Sequence, residues 1–300
     1  DFSVLFDNQG IGVDAPGGYL GAFAAAALIG MFAYYGFEAN GDVAEEIKNP
    51  SLRVPKAMRM TLYIGGFAAN MIAFSLVLAV PDFQAVADGT VEDPITVILM
   101  EAFGPLYPIT LAIVLLAFLS CLISLQAAAS RLAYSMGRDG FLPMSSTLAK
   151  FNHRTGIPPY SLLAAALFPA LVIIGSLLVE DALTAIVSFG TVGIYIGFQM
   201  VVLASLRARV LGWKPAGQFK LGGWGYPVTI LALIWGIFAV VNILWPRPTG
   251  GAWYEDWLTF MTTVAVIVFG WIYMLVSKAY ARGDAPSGDA TGPIKVKVKA

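Results

Sequence analysis

Charge is the first thing this chain has too little of. Lys, Arg, Asp and Glu together make up 12% of its 300 residues, against about 25% in an ordinary soluble domain. Roughly half the charge needed to cover a water-facing surface is therefore missing. The net charge is −1, so no basic field favours nucleic acid. The single cysteine, Cys121, excludes a disulfide framework and a cysteine-based zinc site. The single histidine, His153, argues against a histidine-rich metal centre or a Ser/His/Asp triad. It stands beside Arg154 in a charged loop and reads as a solvated residue. No HExxH run and no paired intramembrane aspartates occur, so no metal or cofactor is expected. What the chain has in excess is apolar surface: 58% hydrophobic residues and a mean hydropathy of +0.75.

A helix crosses the hydrocarbon core with about 20 mainly apolar residues. Seven stretches qualify: 19–47, 57–80, 108–136, 158–179, 182–206, 226–245 and 257–277. Pro55, Pro108, Pro158 and Pro227 stand at or near their starts, where a missing N–H costs least. Barrel-like alternation is absent. The fold class expected is an all-α membrane protein with seven transmembrane helices.

Loop charge sets the orientation. Lys48, Arg53, Lys56 and Arg59 follow the first stretch, and Arg138, Lys150 and Arg154 the third. Arg207, Arg209, Lys214 and Lys220 follow the fifth, and Lys278, Arg282, Lys295, Lys297 and Lys299 form the tail. The other loops carry Asp82, Asp88, Glu92, Asp93, Glu101, Glu180, Asp181, Glu255 and Asp256. With Arg131 at the inner end of the third stretch, all of the 18 Lys and Arg residues except Arg247 fall on one side. Basic loops stay in the cytoplasm. The tail is thus placed inside and Asp1 outside, in a multi-pass protein of the cell membrane. Residues 1–18, with Asp1, Asp7 and Asp14, read as an extracellular lead-in without an export signal. Either helices of the same protein precede them, the preferred reading, or a signal has been cleaved. The tail, 281–300, is rich in Gly, Pro, Ser and Asp and is expected to be disordered. Its three alternating lysines are a faint signal for anionic lipid.

The first stretch departs from a plain span. Tyr19 to Lys48 as one straight helix would be about 45 Å long, against a core of about 30 Å. Leu20–Phe37 is apolar, whereas Glu38–Asn49 is acidic and polar, with Gly30, Gly36 and Gly41 as punctuation. On one helix Glu38, Asp42, Glu45 and Asn49 would share a face. Carboxylates at membrane depth face protein or a watery cavity. Two readings stand: a discontinuous helix broken near 34–39, which is preferred, or an intact tilted helix with a cytoplasmic acidic end. Two polar stripes occur further on. One is Ser120, Ser124, Arg131 and Ser135, with Cys121 beside it; the other is Thr184, Ser188, Thr191, Tyr195 and Gln199. Single hydroxyls read as packing between helices, and whole stripes as a lined cavity. Arg131 and Arg138–Asp139 read as anchors of a helix end. Trp213, Trp224, Trp245, Trp253 and Trp257 read as interfacial belts.

Three segments are specific. Tyr35-Gly-Phe-Glu-Ala-Asn-Gly-Asp-Val-Ala-Glu-Glu-Ile-Lys-Asn-Pro50 with Arg53-Val-Pro-Lys-Ala57 resembles the sixth helix and following loop of amino acid permeases of the amino acid–polyamine–organocation superfamily. Ser130-Arg-Leu-Ala-Tyr-Ser-Met-Gly-Arg-Asp-Gly-Phe-Leu-Pro143 with Arg154-Thr-Gly-Ile-Pro158 resembles the end of that family's eighth helix and its loop. Thr191-Val-Gly-Ile-Tyr-Ile-Gly-Phe-Gln199 with the Trp213–Pro227 loop resembles the branch containing GABA and choline permeases. The resemblance implies the C-terminal portion of a twelve-helix inverted-repeat fold of leucine-transporter type. Residues 19–206 would be its second five-helix repeat and 207–280 the last two helices with their preceding loop.

It also implies roles. Phe32 matches the aromatic that covers bound substrate. The carbonyls of Phe32, Ala33 and Tyr35 match those that accept a substrate ammonium, and Gly36 lets the unwound backbone take φ > 0. Glu38 matches the acidic residue past the break, with a coupling role and a purely structural role both open. Ser124 and Leu125 lie where the side-chain pocket forms, and a leucine at 125 argues against stacking on a guanidinium. The expected function is a secondary active transporter of an amino acid or small amine, by proton symport or exchange. An intramembrane enzyme and an ion channel are the alternatives. No nucleic acid partner is expected; lipid is.

Overall fold

The computed structural model describes residues 2–6, 10, 17–87, 90–91, 93–177, 182–215, 217–247 and 253–281. Asp1, Asp7, Asp14, Asp88, Glu92, Glu180, Asp181 and the tail from Arg282 lie outside the described residues. So do the expectations placed on them. Among the described residues the chain is helical, with one isolated bridge between Asn152 and Ile157 in place of any strand. The main helices are α1 (Gly18–Ala33), α2 (Pro50–Met60), α3 (Gly66–Leu78), α4 (Pro94–Phe103), α5 (Tyr107–Arg138), α6 (Pro159–Ser176), α7 (Ala182–Val210), α8 (Gly225–Leu244) and α9 (Leu258–Ser277). A π-helical turn, Thr61–Gly65, joins α2 to α3 without interrupting the rod.

Among the described residues five helical runs are long and apolar enough to cross a membrane: Pro50–Leu78, Pro94–Arg138, Ile186–Val210, Gly222–Leu244 and Leu258–Ser277. Two more apolar helices, Gly18–Ala33 and Pro159–Gly175, are shorter. The sequence suggested seven stretches of spanning length; the difference has local causes. The first stretch stops being helical after Ala33. The sixteen residues of α1 reach only about 24 Å. The fourth runs into residues outside the description. Large apolar side chains point outward along these rods, among them Phe118 at 70% and Phe269 at 70% exposure. That inverts the soluble pattern and matches a lipid solvent, in which every backbone group must bond within its own helix. This is an all-α membrane protein.

Helix ends follow the residues. The second helical run starts at Pro50, seven residues before the stretch read from hydropathy. Asn49 takes a left-handed φ of 56° and Pro50 supplies a pre-set first turn. Pro55 consequently sits inside α2 rather than at its start. Hydropathy gave no span at α4, which lies in the acidic loop. Its signal was Asp93-Pro94: the Asp93 side chain accepts the Thr96 N–H at 3.2 Å, a helix N-cap. Hydrogen bonds from the Thr96 side chain and backbone hold the Asp93 carboxyl below the usual carboxylate range.

The chain divides into two compact units, residues 1–41 with 56–125, and residues 42–55 with 126–300. In the first, the Phe2–Phe6 turn packs against α3. In the second, α7 packs against α8 and α9. The α7–α8 seam holds the densest burial among the described residues, with Thr191, Val192, Tyr195, Thr229, Ala239, Asn242 and Ile243 all buried. A Cβ on Gly236 would stand 1.5 Å from the Gln199 side-chain amide, so glycine there is what leaves room for that amide between the helices.

Candidate functional site

The residues that follow α1 are the most unusual stretch of backbone in the first unit. An alanine-rich run, strong in helix propensity, carries α1 to Ala33. The last α-type bond is Tyr34 N–H to the Gly30 carbonyl at 3.1 Å. Gly36 then takes φ +104°. A Cβ there would meet nothing within 4 Å, so its requirement is conformational rather than spatial. Helix-like bonding resumes with Ala39 to the Gly36 carbonyl and Asn40 to the Phe37 carbonyl, at 3.4 and 3.3 Å. The four residues Ala39–Asp42 form one short turn.

Such a gap leaves peptide groups without helical partners. The Gly36 N–H is satisfied by its neighbour two residues on: Glu38 Oε2 accepts it at 2.8 Å. The carbonyls are another matter. Among the described residues no backbone N–H donates to the carbonyl oxygens of Phe32, Ala33, Tyr34 or Tyr35. The Phe32 and Tyr35 rings meet edge to face with centroids 5.3 Å apart, and Phe32 is 45% exposed. A short run of acceptors thus lies beside an aromatic pair, in a stretch that is half-buried from Tyr35 to Asn40.

Side chains from the following rod grip the gap. Asn70 Nδ2 donates to the Tyr34 hydroxyl oxygen and, at 2.8 Å, to the Gly66 carbonyl. Gly66 leaves room for the Tyr34 ring, whose Cε1 would lie 2.8 Å from a Cβ there. Asn40 Nδ2 donates to the Phe37 carbonyl at 3.1 Å and to Thr61 Oγ1 at 3.3 Å. None of these partners was singled out from the sequence. Asn70, an amide inside the apolar run Gly66–Leu78, was the available signal, because such a group is costly in lipid unless bonded.

Ser124 and Leu125 lie on α5. The Ser124 hydroxyl donates to its own helix at the Ser120 carbonyl, 2.9 Å away, and Leu125 is 46% exposed. Among the described residues no hydrogen bond joins either to residues 32–38. Ser135 of the α5 stripe also bonds locally, donating to the Leu132 carbonyl at 3.1 Å. Thr191 does the same on α7, donating to Val187 at 2.7 Å. Thr191 and Tyr195 are buried at the α7–α8 seam, so that part of the second stripe is packing rather than cavity lining.

The acidic face expected of one long helix does not form, because the chain turns at Gly36 and extends at Ile47. In the second unit, Glu46 pairs with Arg131 Nε at 2.7 Å. Glu45 takes both ends of the Arg138 guanidinium, at 2.9 and 3.1 Å, the bidentate geometry that suits arginine. Those bonds hold the Glu45 carboxyl below the usual carboxylate range. Among the described residues no cluster of three His, Cys, Asp or Glu could hold a metal ion.

Comparison with known proteins sets this geometry in a family. The chain is 28% identical to the amino-acid permease BAT1 homolog of Oryza sativa subsp. japonica, over 86% of this chain and 50% of that one. It is 28% identical to the branched-chain amino acid permease BcaP of Bacillus subtilis, over 77% of this chain and 47% of the other. It is 26% identical to the thiamine transporter thi9 of Schizosaccharomyces pombe, over 75% and 38%. The chain therefore spans about half the length, or less, of the curated relatives it matches. No solved structure matches. The amino acid permease family matches residues 6–271, a stretch that takes in the gap after Ala33, the rod that grips it and the later helices as far as the middle of α9. The chain belongs to the amino acid permease family.

Proposed function

We propose that the chain forms the substrate-carrying part of a secondary transporter, which moves an amino acid or small amine across the cell membrane by alternating access. The observation that carries this reading is the run of carbonyls at Phe32, Ala33 and Tyr35 that receive no backbone donor among the described residues. Broken helices in transporters turn such peptide groups toward small charged solutes, and carbonyl oxygens suit a cation. Relatives named for amino acids and for thiamine support that class, since both solutes carry a positively charged nitrogen. Phe32 covers the solute, Gly36 keeps the backbone open and Ser124 and Leu125 line the side-chain end. Leucine at 125 directs the pocket toward apolar side chains rather than guanidinium groups.

In this reading the chain crosses the membrane seven times, with residue 1 outside and the C-terminus in the cytoplasm. It is the later portion of a twelve-helix inverted repeat, residues 19–206 forming the second repeat and 207–280 the last two helices. Earlier helices of the same protein complete the site. Glu38, which accepts the Gly36 N–H at the lip of the break, is the residue assigned to proton coupling, with a purely structural hold on the break as its other role. Exchange of one solute for another is the rival mode. The test is counterflow in proteoliposomes holding the intact permease. Saturable, stereoselective counterflow of an amino acid is expected. Ion flux without saturable counterflow would favour a channel and overturn the proposal.

A further inference from the structure

Three contacts reach the gap from one rod, and their spacing along it is wrong for an α-helix. Thr61 receives Asn40, Gly66 makes room for Tyr34, and Asn70 holds the Tyr34 hydroxyl. An α-helix turns about 100° per residue. Gly66 would then lie about 140° around the rod from Thr61, and Asn70 about 180°, on the opposite face. Residues on opposite faces do not both reach one neighbouring segment. The π-helical turn Thr61–Gly65 stands between the first contact and the other two. A π turn closes on i→i+5 bonds and so takes up one extra residue. With that residue absorbed, Gly66 falls about 40° and Asn70 about 80° from Thr61, and all three share one stripe.

We propose that the π turn is the register device that lets one helix hold both lips of the break, the Tyr34 lip through Asn70 and the Asn40 lip through Thr61. Asn70 and Thr61 are therefore positioning residues. They act through the backbone they fix, and their role rests on the reading of the break as the substrate site. The energetic logic is local. An exposed asparagine and threonine in an apolar rod need partners. The break in turn has side chains to anchor, so each satisfies the other. Thr61 is itself tied to its own helix, its hydroxyl donating to the Ala57 carbonyl at 3.0 Å, which leaves its oxygen aligned to accept from Asn40.

The experiment uses the intact permease in a background free of other cysteines, with Cys121→Ser. Two double variants are made, Tyr34→Cys with Asn70→Cys, and Asn40→Cys with Thr61→Cys, and each is treated with a short bismaleimide. Efficient cross-linking of both pairs is expected. Cross-linking of one pair without the other is what an unbulged helix gives, and it overturns the proposal. This arm reads geometry alone, so it stands or falls independently of transport. In uptake assays, Asn70→Ala and Thr61→Val are each expected to raise KM about tenfold while the maximal rate per folded transporter stays within about threefold. Thr61→Ser, which keeps the hydroxyl, is expected to restore the original KM. Loss of maximal rate at unchanged KM would assign the two residues to folding alone and also overturn it. Should cross-linking succeed and no variant show saturable uptake of any amine, the register device would stand and the substrate reading would fail.

Discussion

The turn after Ala33 and the seam between α7 and α8 both bring glycine and polar side chains into apolar helices, with opposite results. At the seam, Gly236 has no room for a Cβ, and the buried Thr191 and Thr229 hydroxyls donate to carbonyls of their own helices at 2.7 and 2.6 Å. The helices stay whole and the polar groups are spent on packing. At the turn, Gly36 has space around it and an unusual φ instead. There the polar groups of Glu38, Asn40 and Asn70 bond the interrupted chain, and four carbonyls in succession receive no backbone donor among the described residues. The same residue types therefore say little by themselves. What separates a packing seam from a candidate site is whether the backbone keeps its own hydrogen bonds.

That contrast can be broken most forcefully at the glycines. Gly36→Ala, at φ +104°, should cost about 1–3 kcal/mol of local strain and cut uptake to a tenth or less, with the protein still folded by size-exclusion profile. Gly236→Leu should overpack the seam by about 1–3 kcal/mol, lower the melting temperature and leave the KM of the surviving protein unchanged. Equal effects on KM from both would erase the distinction. Next in size is Phe32→Ala. Loss of a partly exposed aromatic cover should weaken substrate binding by about tenfold, read by calorimetry, and unaltered affinity would remove Phe32 as the cover. Glu38 separates two roles. Glu38→Gln keeps an oxygen for the Gly36 N–H but loses the charge, so proton coupling predicts uptake that no longer varies with pH, whereas a holding role predicts wild-type behaviour. The smallest effect belongs to Glu45→Gln. The pair with Arg138 is exposed and worth about 0–1 kcal/mol. Because the folded carboxyl titrates below its ordinary range, this stabilisation is present above that range and is lost as the pH falls through it. The melting temperatures of variant and parent should therefore converge in acid.

Much of the fold was legible because length and hydropathy are one-dimensional signals. Stretches read as 182–206, 226–245 and 257–277 became helices Ala182–Val210, Gly225–Leu244 and Leu258–Ser277. The break near 34–39 could be placed because the change from apolar to acidic is abrupt at Glu38, whereas the roles of Phe32, Ala33, Tyr35 and Gly36 came only with the family resemblance. The remainder depended on phase. A face computed for Glu38, Asp42, Glu45 and Asn49 presumes an unbroken rotation, and Gly36 resets it, sending Glu45 and Glu46 to Arg138 and Arg131 instead. The π turn shifts the phase again, so no helical wheel drawn on 57–80 puts Thr61 beside Asn70. Hydroxyl stripes are ambiguous for a related reason: serine and threonine in a helix can bond their own carbonyls three or four residues back, and spacing does not tell that from a bond across a cavity.

The central claim is that the chain leaves the helix after Ala33 and presents bare carbonyls to a cationic solute. Its most direct test is a density map of the intact permease with a bound amino acid. The account predicts the substrate ammonium within hydrogen-bonding distance, about 3 Å, of the carbonyl oxygens of Phe32, Ala33 and Tyr35, with Gly36 in the left-handed region. A continuous helix through residues 30–42, its carbonyls bonded four residues on and the substrate elsewhere, would contradict it.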